Sequence, residues 1–348
     1  MESNPIIASM LLAAAITTLI INTLLPFAPR LGLIDQPAPR KVHQQPRPRI
    51  GGWGIVAGTL GALLPWVAID DPLLQGLLFA SGVLFLFGVW DDRCAIGHYW
   101  KFTGQLLALL PLLLHGGLRV TQLPLVATPL PEMIALPFTL LALIGVINAL
   151  NHADGLDGLA GGEALLTLLA AAVLAARGGA DGVLLLALAG AAGVIAFLRY
   201  NLHPARLFMG DSGSQFLGLL VGVVAILLTQ GETSPLPPAA VLLLIGLPLA
   251  DILVVLYRRI RSRRNWFLAT DNHFHHRLLR LGLSHRHSVQ LLWLLHSLLV
   301  GAALLHAHLP TPLLLLLHPL LCALWLLLLG WLERRAPRLE RETATPGH

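Results

Sequence analysis

Residues 148–162 read NALNHADGLDGLAGG, directly after the largely apolar run 132–147. The stretch holds two amides (Asn148, Asn151), two carboxylates (Asp154, Asp157), the histidine His152 and four glycines. Its amides and carboxylates recur every three residues. On one continuous α-helix that spacing drifts about 60° per step, so the four side chains would not share a face. Gly155, Gly158, Gly161 and Gly162 point instead to a helix that ends here and gives way to a tight loop. A plain connecting loop would be served equally by Ser, Lys or Glu. Ionisable groups at the end of a membrane helix are costly to place there, and the expectation is a functional site.

Composition sets the surroundings. Charged residues make up 12% of the 348-residue chain and hydrophobic residues 56%, whereas a soluble domain carries about 25% charged residues. Eleven apolar runs approach spanning length: 6–27, 52–69, 73–90, 102–118, 132–147, 163–176, 182–199, 213–229, 237–257, 289–308 and 312–331. The expected class is an all-α, polytopic membrane helix bundle of 10–11 spans, forming one integral membrane domain over 1–348. The run 163–176 is short for a span, and Pro111 interrupts 102–118. Cys94 and Cys322 give neither a disulfide framework nor a CxxC metal motif. The first run lacks a basic leader and continues at spanning length, so no cleavable signal peptide is expected.

Eleven spans divide the loops into two sets. Segments 28–51, 91–101, 148–162, 199–212, 258–288 and the tail 332–348 hold 21 of the 23 Lys and Arg residues; the opposite set holds Arg119 and Arg177. By the positive-inside rule the first set is cytoplasmic and the N-terminus periplasmic. The net charge of +5 is therefore a topology signal and does not imply nucleic acid. Every polar constellation falls in the cytoplasmic set, largely within residues 40–282.

Four constellations join the central one. Residues 40–54, RKVHQQPRPRIGGWG, combine cations with stiffening prolines and a glycine turn, a pattern suited to lipid headgroups or a phosphorylated ligand. Asp91 and Asp92 are adjacent carboxylates at a helix end, where like charges attract a cation or retain a proton. Residues 208–218, FMGDSGSQFLG, set Asp211 between glycines before a span, where free helix N–H groups favour phosphate. Residues 271–279, DNHFHHRLL, carry His273, His275 and His276. The HxHH spacing lacks an i, i+4 ligand pair and a nearby cysteine, so phosphate and nucleotide contacts fit it better than zinc. His115, His296, His306, His308 and His318 read as isolated structural residues. The oxygen-rich inventory selects Mg²⁺ or Mn²⁺ over softer metals.

In this order, RKVHxxPxPRIGG, the DD pair, NxxNxxDGLDGLAGG, FMGDSGS and HxHH resemble the polyprenyl-phosphate N-acetylhexosamine-1-phosphate transferases. The histidine loop departs from the consecutive HHH of the UDP-MurNAc-pentapeptide translocase branch and is similar to that of the UDP-GlcNAc branch. The resemblance implies a bacterial inner-membrane enzyme that moves GlcNAc-1-phosphate from a UDP-N-acetyl sugar to undecaprenyl phosphate, releasing UMP and initiating a cell-surface glycan such as O-antigen. It implies Asp211 and Asn151 as ligands to Mg²⁺ (or Mn²⁺), and Asp91, Asp92, Asp154 and Asp157 as catalytic carboxylates. Lys41, His43, Arg49, Asn148, His273, His275, His276 and Arg277 are the implied substrate-binding residues. A homodimer stays open. The rivals are a translocase-type transferase and, from another class, a lipid or solute transporter with its site at mid-membrane.

Overall fold

The computed structural model describes residues 3–37, 45–231, 234–261 and 272–335. The chain is an all-helical membrane bundle. In order, the first five helices are α1 (Ser3–Leu24), α2 (Gly51–Leu63), α3 (Pro72–Cys94), α4 (His98–Leu114) and α5 (Glu132–Ala153). Then come α6 (Leu159–Arg177), α7 (Asp181–Asn201), α8 (Asp211–Thr229), α9 (Val241–Leu244) and α10 (Gly246–Arg261). The last three are α11 (Phe274–Arg280), α12 (His285–Leu304) and α13 (Thr311–Arg335). A two-residue antiparallel ribbon pairs β1 (Ile34–Asp35) with β2 (Arg47–Pro48).

All eleven apolar runs are helical, but not all of their helices reach spanning length. Among the described residues, eight helices are long and apolar enough to cross a membrane, and a ninth counts if one bent pair is a single span. The runs at 52–69 and 102–118 fold as helices of 13 and 17 residues, short of the ~20 residues that cross a bilayer. The glycine-rich loop is also shorter than the sequence implied. Helix α5 runs through Asn148 and Asn151 to Ala153, and α6 starts at Leu159, so Gly161 and Gly162 are helical. The turn is 154–158, with Gly158 at φ 82°, a backbone that favours glycine.

The bend, of 83°, separates α9 from α10. Pro248 has no N–H to give the carbonyl of Leu244 four residues back. In lipid an unpaired carbonyl is expensive, and Thr167 Oγ1 supplies a donor to Leu244 O at 3.0 Å. His318 Nε2 lies 3.1 Å from Gly246 O, so a histidine from the "isolated" group caps the break. The bend swings Asp251 onto α11, where it accepts from the N–H of Phe274 at 2.8 Å and meets His273 Nδ1 at 2.8 Å.

Helix α8 is the hub. Within its spanning window 94% of residues are buried in protein, against 22% for α1 and α13. Close approach at its first turn demands glycine. A Cβ at Gly52 would lie 2.3 Å from Gly213 N, and one at Gly88 would lie 2.4 Å from the Ser212 Cα. Small residues of this kind let membrane helices pack backbone to backbone. The N-terminus of α8 is thereby clamped between α2 and α3.

Candidate active site

The clamp explains how the carboxylates meet. Gly210 takes φ 75°, and the chain turns there so that the first N–H groups of α8 face α3. Asp92 receives them: Asp211 N donates to Oδ1 at 2.8 Å, and Ser212 N and Oγ donate to Oδ2 at 3.2 and 3.1 Å. Asp92 is thus the N-terminal cap of α8, supplied from another helix, and the positive end of the helix dipole favours its charge. Arg49 Nη1 stands 3.7 Å from the same carboxylate, and its other nitrogen is ion-paired to Asp35.

Asp91, one residue earlier, faces a lysine. Lys101 Nζ lies 2.7 Å from Asp91 Oδ2 and 2.5 Å from Asp211 Oδ2. One ammonium therefore bridges two carboxylates from separate helices, as a cation of higher charge could. Asn151, in the last turn of α5, donates from Nδ2 to Ser214 Oγ at 2.8 Å, and that hydroxyl donates to Gly210 O at 3.1 Å. The donor set around Asp211 is oxygen-only, with Asp91, Asp92 and Asp154 close by, and it fits a hard divalent ion. Asp154 lies in the turn outside the helices. Desolvation, then the charges of Asp211 and Asp92, push its carboxyl up to about 7.

A cavity of about 270 Å³ opens beside this cluster. Its polar wall includes Arg49, Asp92, Asp154, Asp157, Asp211 and His276, while Leu156 and Phe208 give it an apolar side. The floor is pinned by Asn201, which accepts from Gly158 N at 2.9 Å and donates to Leu207 O at 3.0 Å. Asp157 Oδ2 accepts from Ala205 N at 3.0 Å and contacts His203 Nδ1 at 2.8 Å.

Other expected site residues lie elsewhere. Asn148 is turned into an amide network, donating to Gln105 Oε1 at 3.0 Å, away from the cavity lining. His273 is held by Asp251. Arg277 is buried in a two-pronged pair with Glu333, at 2.7 and 2.9 Å; it ties α11 to α13. His275 packs under the central turn, where a Cβ on Gly155 would come within 2.2 Å of its Nε2. Burial, then its neighbours His276 and His273, hold that imidazole well below its usual pKa. Lys41 and His43 lie outside the described residues.

Lys101, Asp35 and His285 belong to the site or its wall, while His203 backs Asp157 from outside the cavity lining; none of the four was singled out in the sequence. For Lys101 the available signal was a lone cation at the start of an apolar run. For His203 it was a histidine before proline in the loop leading to FMGDSGS.

Comparison with known proteins gives a consistent picture. The family model described as Glycosyl transferase family 4 matches residues 74–229. The chain is 32% identical to a probable undecaprenyl-phosphate N-acetylglucosaminyl 1-phosphate transferase of Bacillus subtilis, over 82% of this chain and 80% of the relative. It is 33% identical to a decaprenyl-phosphate N-acetylglucosaminephosphotransferase of Mycobacterium tuberculosis, over 82% and 78%. An undecaprenyl-phosphate alpha-N-acetylglucosaminyl 1-phosphate transferase of Escherichia coli is 31% identical, over 83% and 80%.

Proposed function

The chain belongs to glycosyl transferase family 4, and on that footing we propose that it transfers N-acetylglucosamine 1-phosphate from UDP-N-acetylglucosamine to undecaprenyl phosphate. The observation that carries this reading is the junction of an oxygen-only carboxylate cluster with a nucleotide-sized cavity at the capped N-terminus of α8. A phosphate oxygen of the lipid forms a bond to the β-phosphorus of the donor. The bond from that phosphorus to the bridging oxygen breaks, and UMP leaves with the bridging oxygen. A phosphate monoester is already largely ionised near pH 7, so the site needs to position the nucleophile more than to deprotonate it.

Each residue then has a task its geometry supports. Arg49 and His276 face the cavity and suit the donor phosphates. Leu156 and Phe208 offer an apolar surface for a flat base, and Asp157 lies beside it as an acceptor. Asp211 and Asn151, with Asp91 alongside, would hold Mg²⁺, which when bound neutralises the diphosphate and the departing charge. Lys101 keeps Asp91 and Asp211 together without it. We place this end of the bundle at the cytoplasmic surface of the inner membrane, because the basic residues gather there.

A transporter reading draws on the broken α9–α10 segment, since discontinuous helices carry many transport sites. Here the carbonyls at the break are capped by Thr167 and His318, and Asp251 is committed to α11. Purified protein with Mg²⁺, UDP-N-acetylglucosamine and undecaprenyl phosphate should release UMP and form lipid-linked sugar. Absence of UMP from folded protein would overturn the assignment, and a UDP-MurNAc-pentapeptide in parallel tests the neighbouring branch.

A further inference from the structure

Beside the oxygen-only cluster lies a second group of potential ligands with different chemistry. Asp157, His203 and His285 come from the central turn, the loop after α7 and the start of α12. Their nearest ligand atoms lie within 4.8 Å of one another. The two imidazoles are stacked, with centroids 4.1 Å apart and planes 21° apart. We propose that these three residues form a binding site for a borderline transition metal ion such as Zn²⁺, and that its occupation inhibits the enzyme.

The distances support it. Bonds of ~2.0–2.1 Å at tetrahedral angles set donor atoms about 3.3 Å apart. Asp157 Oδ2 is 2.8 Å from His203 Nδ1 and 3.8 Å from His285 Nε2, so the observed pairs straddle that value. Because the two rings are stacked, their lone pairs run nearly parallel, so seating an ion requires the exposed His203 ring to swing out of the stack until both nitrogens face a common point. His285 Nε2 accepts a hydrogen bond from Asp157 N at 2.9 Å, so this nitrogen carries a lone pair and not a proton, and an ion would take that lone pair in place of the Asp157 N–H. His203 presents the lone pair of Nδ1 once its proton sits on Nε2. Asp157 and His285 are mostly enclosed, while His203 is 44% exposed, which gives the ion an entry path and a place for a water as fourth ligand.

Two imidazoles with one carboxylate select Zn²⁺, Ni²⁺ or Cu²⁺ over Mg²⁺, whereas the carboxylates around Asp211 select the reverse. The two sites therefore answer to different ions. An ion at the new site would take the Asp157 carboxylate and tie the 154–158 turn to α12 across one wall of the donor cavity. Binding stands independently of the proposed transfer; inhibition rests on it.

The test uses the full chain, purified without a histidine tag, and Zn²⁺ as probe in millimolar Mg²⁺. Calorimetry should find one Zn²⁺ site per chain that Mg²⁺ does not displace. His203→Gln and His285→Gln should each weaken it at least about tenfold, with melting temperatures measured in parallel and Asp157→Asn as a third variant should one fail to fold. Unchanged affinity in the folded variants, or displacement by Mg²⁺, would overturn the site. Zn²⁺ should also lower UMP release by the wild type, with His203→Gln resistant. Zinc bound at these residues without inhibition overturns the inhibitory role alone. A protein that binds zinc and never releases UMP overturns the transfer reading and leaves the site standing.

Discussion

Lys101 Nζ sits 2.5 Å from Asp211 Oδ2, bridging α4 to the first residue of α8, and the same ammonium holds Asp91 at 2.7 Å. The contact gives the cluster an internal counter-ion. Replacing it by Lys101→Met leaves two facing carboxylates without a cation. We expect the variant to melt several degrees lower in EDTA, consistent with a loss of about 1–3 kcal/mol for a charge-assisted contact. Millimolar Mg²⁺ should restore much of the difference while changing the wild type less. Equal responses to Mg²⁺ would show that the cluster is not where the ion binds.

Asp211→Asn should lower transfer at least about 100-fold, the scale for a lost electrostatic contact to a developing charge. Without added metal its melting temperature should fall less than that of Lys101→Met, because Lys101 keeps its contact with Asp91 and the helix start stays capped by Asp92 through backbone N–H groups. An active variant would remove Asp211 from the proposed metal set.

For Asp92 the structure separates a structural task from a chemical one. Asp92→Ala deprives three donors of their acceptor and should cost ~1–2 kcal/mol of stability, the range for a lost helix cap. Asp92→Asn keeps one acceptor oxygen and should recover part of that. A variant that melts normally yet fails in turnover would instead mark Asp92 as a direct participant.

Asp154 titrates upward, to about 7, chiefly because it is desolvated and then because Asp211 and Asp92 are close. Its folded pKa is above the ordinary carboxylate value, so it carries a proton at pH 6 and loses it by pH 8. A cation favours the carboxylate form and lowers that pKa. Mg²⁺ binding should therefore release protons into weak buffer at pH 6.5 and almost none at pH 8.5. Asp154→Asn should reduce the pH 6.5 release, and a release equal to that of the wild type would assign the proton elsewhere.

Arg277 and Glu333 should behave as a pair. Arg277→Ala and Glu333→Ala are each expected to lower stability by about 1–3 kcal/mol, the range for a charged hydrogen-bonded pair, and the double variant by less than their sum. A raised KM for the donor in Arg277→Ala with no counterpart in Glu333→Ala would return Arg277 to the substrate.

The sequence determined the class of this protein. Long apolar runs and glycine-flanked carboxylates are local properties, and both survive in the structure as helices joined by polar turns. Asp154, Asp157 and Asp211 were legible because a carboxylate between glycines at a membrane helix end has few structural explanations. Tertiary packing decided the partners. Hydropathy and periodicity say nothing about which residue 110 positions away will lie opposite, so Lys101 read as one charge among many until α4 was packed beside α8. Arg277 and Asn148 belonged to convincing motifs, yet helix rotation turned Arg277 towards Glu333 and Asn148 towards Gln105. Span length was equally a matter of packing. Glycine contacts let α2 sit against α8 as a helix of 13 residues, and Pro248 broke the ninth run where Thr167 could satisfy the carbonyl it freed.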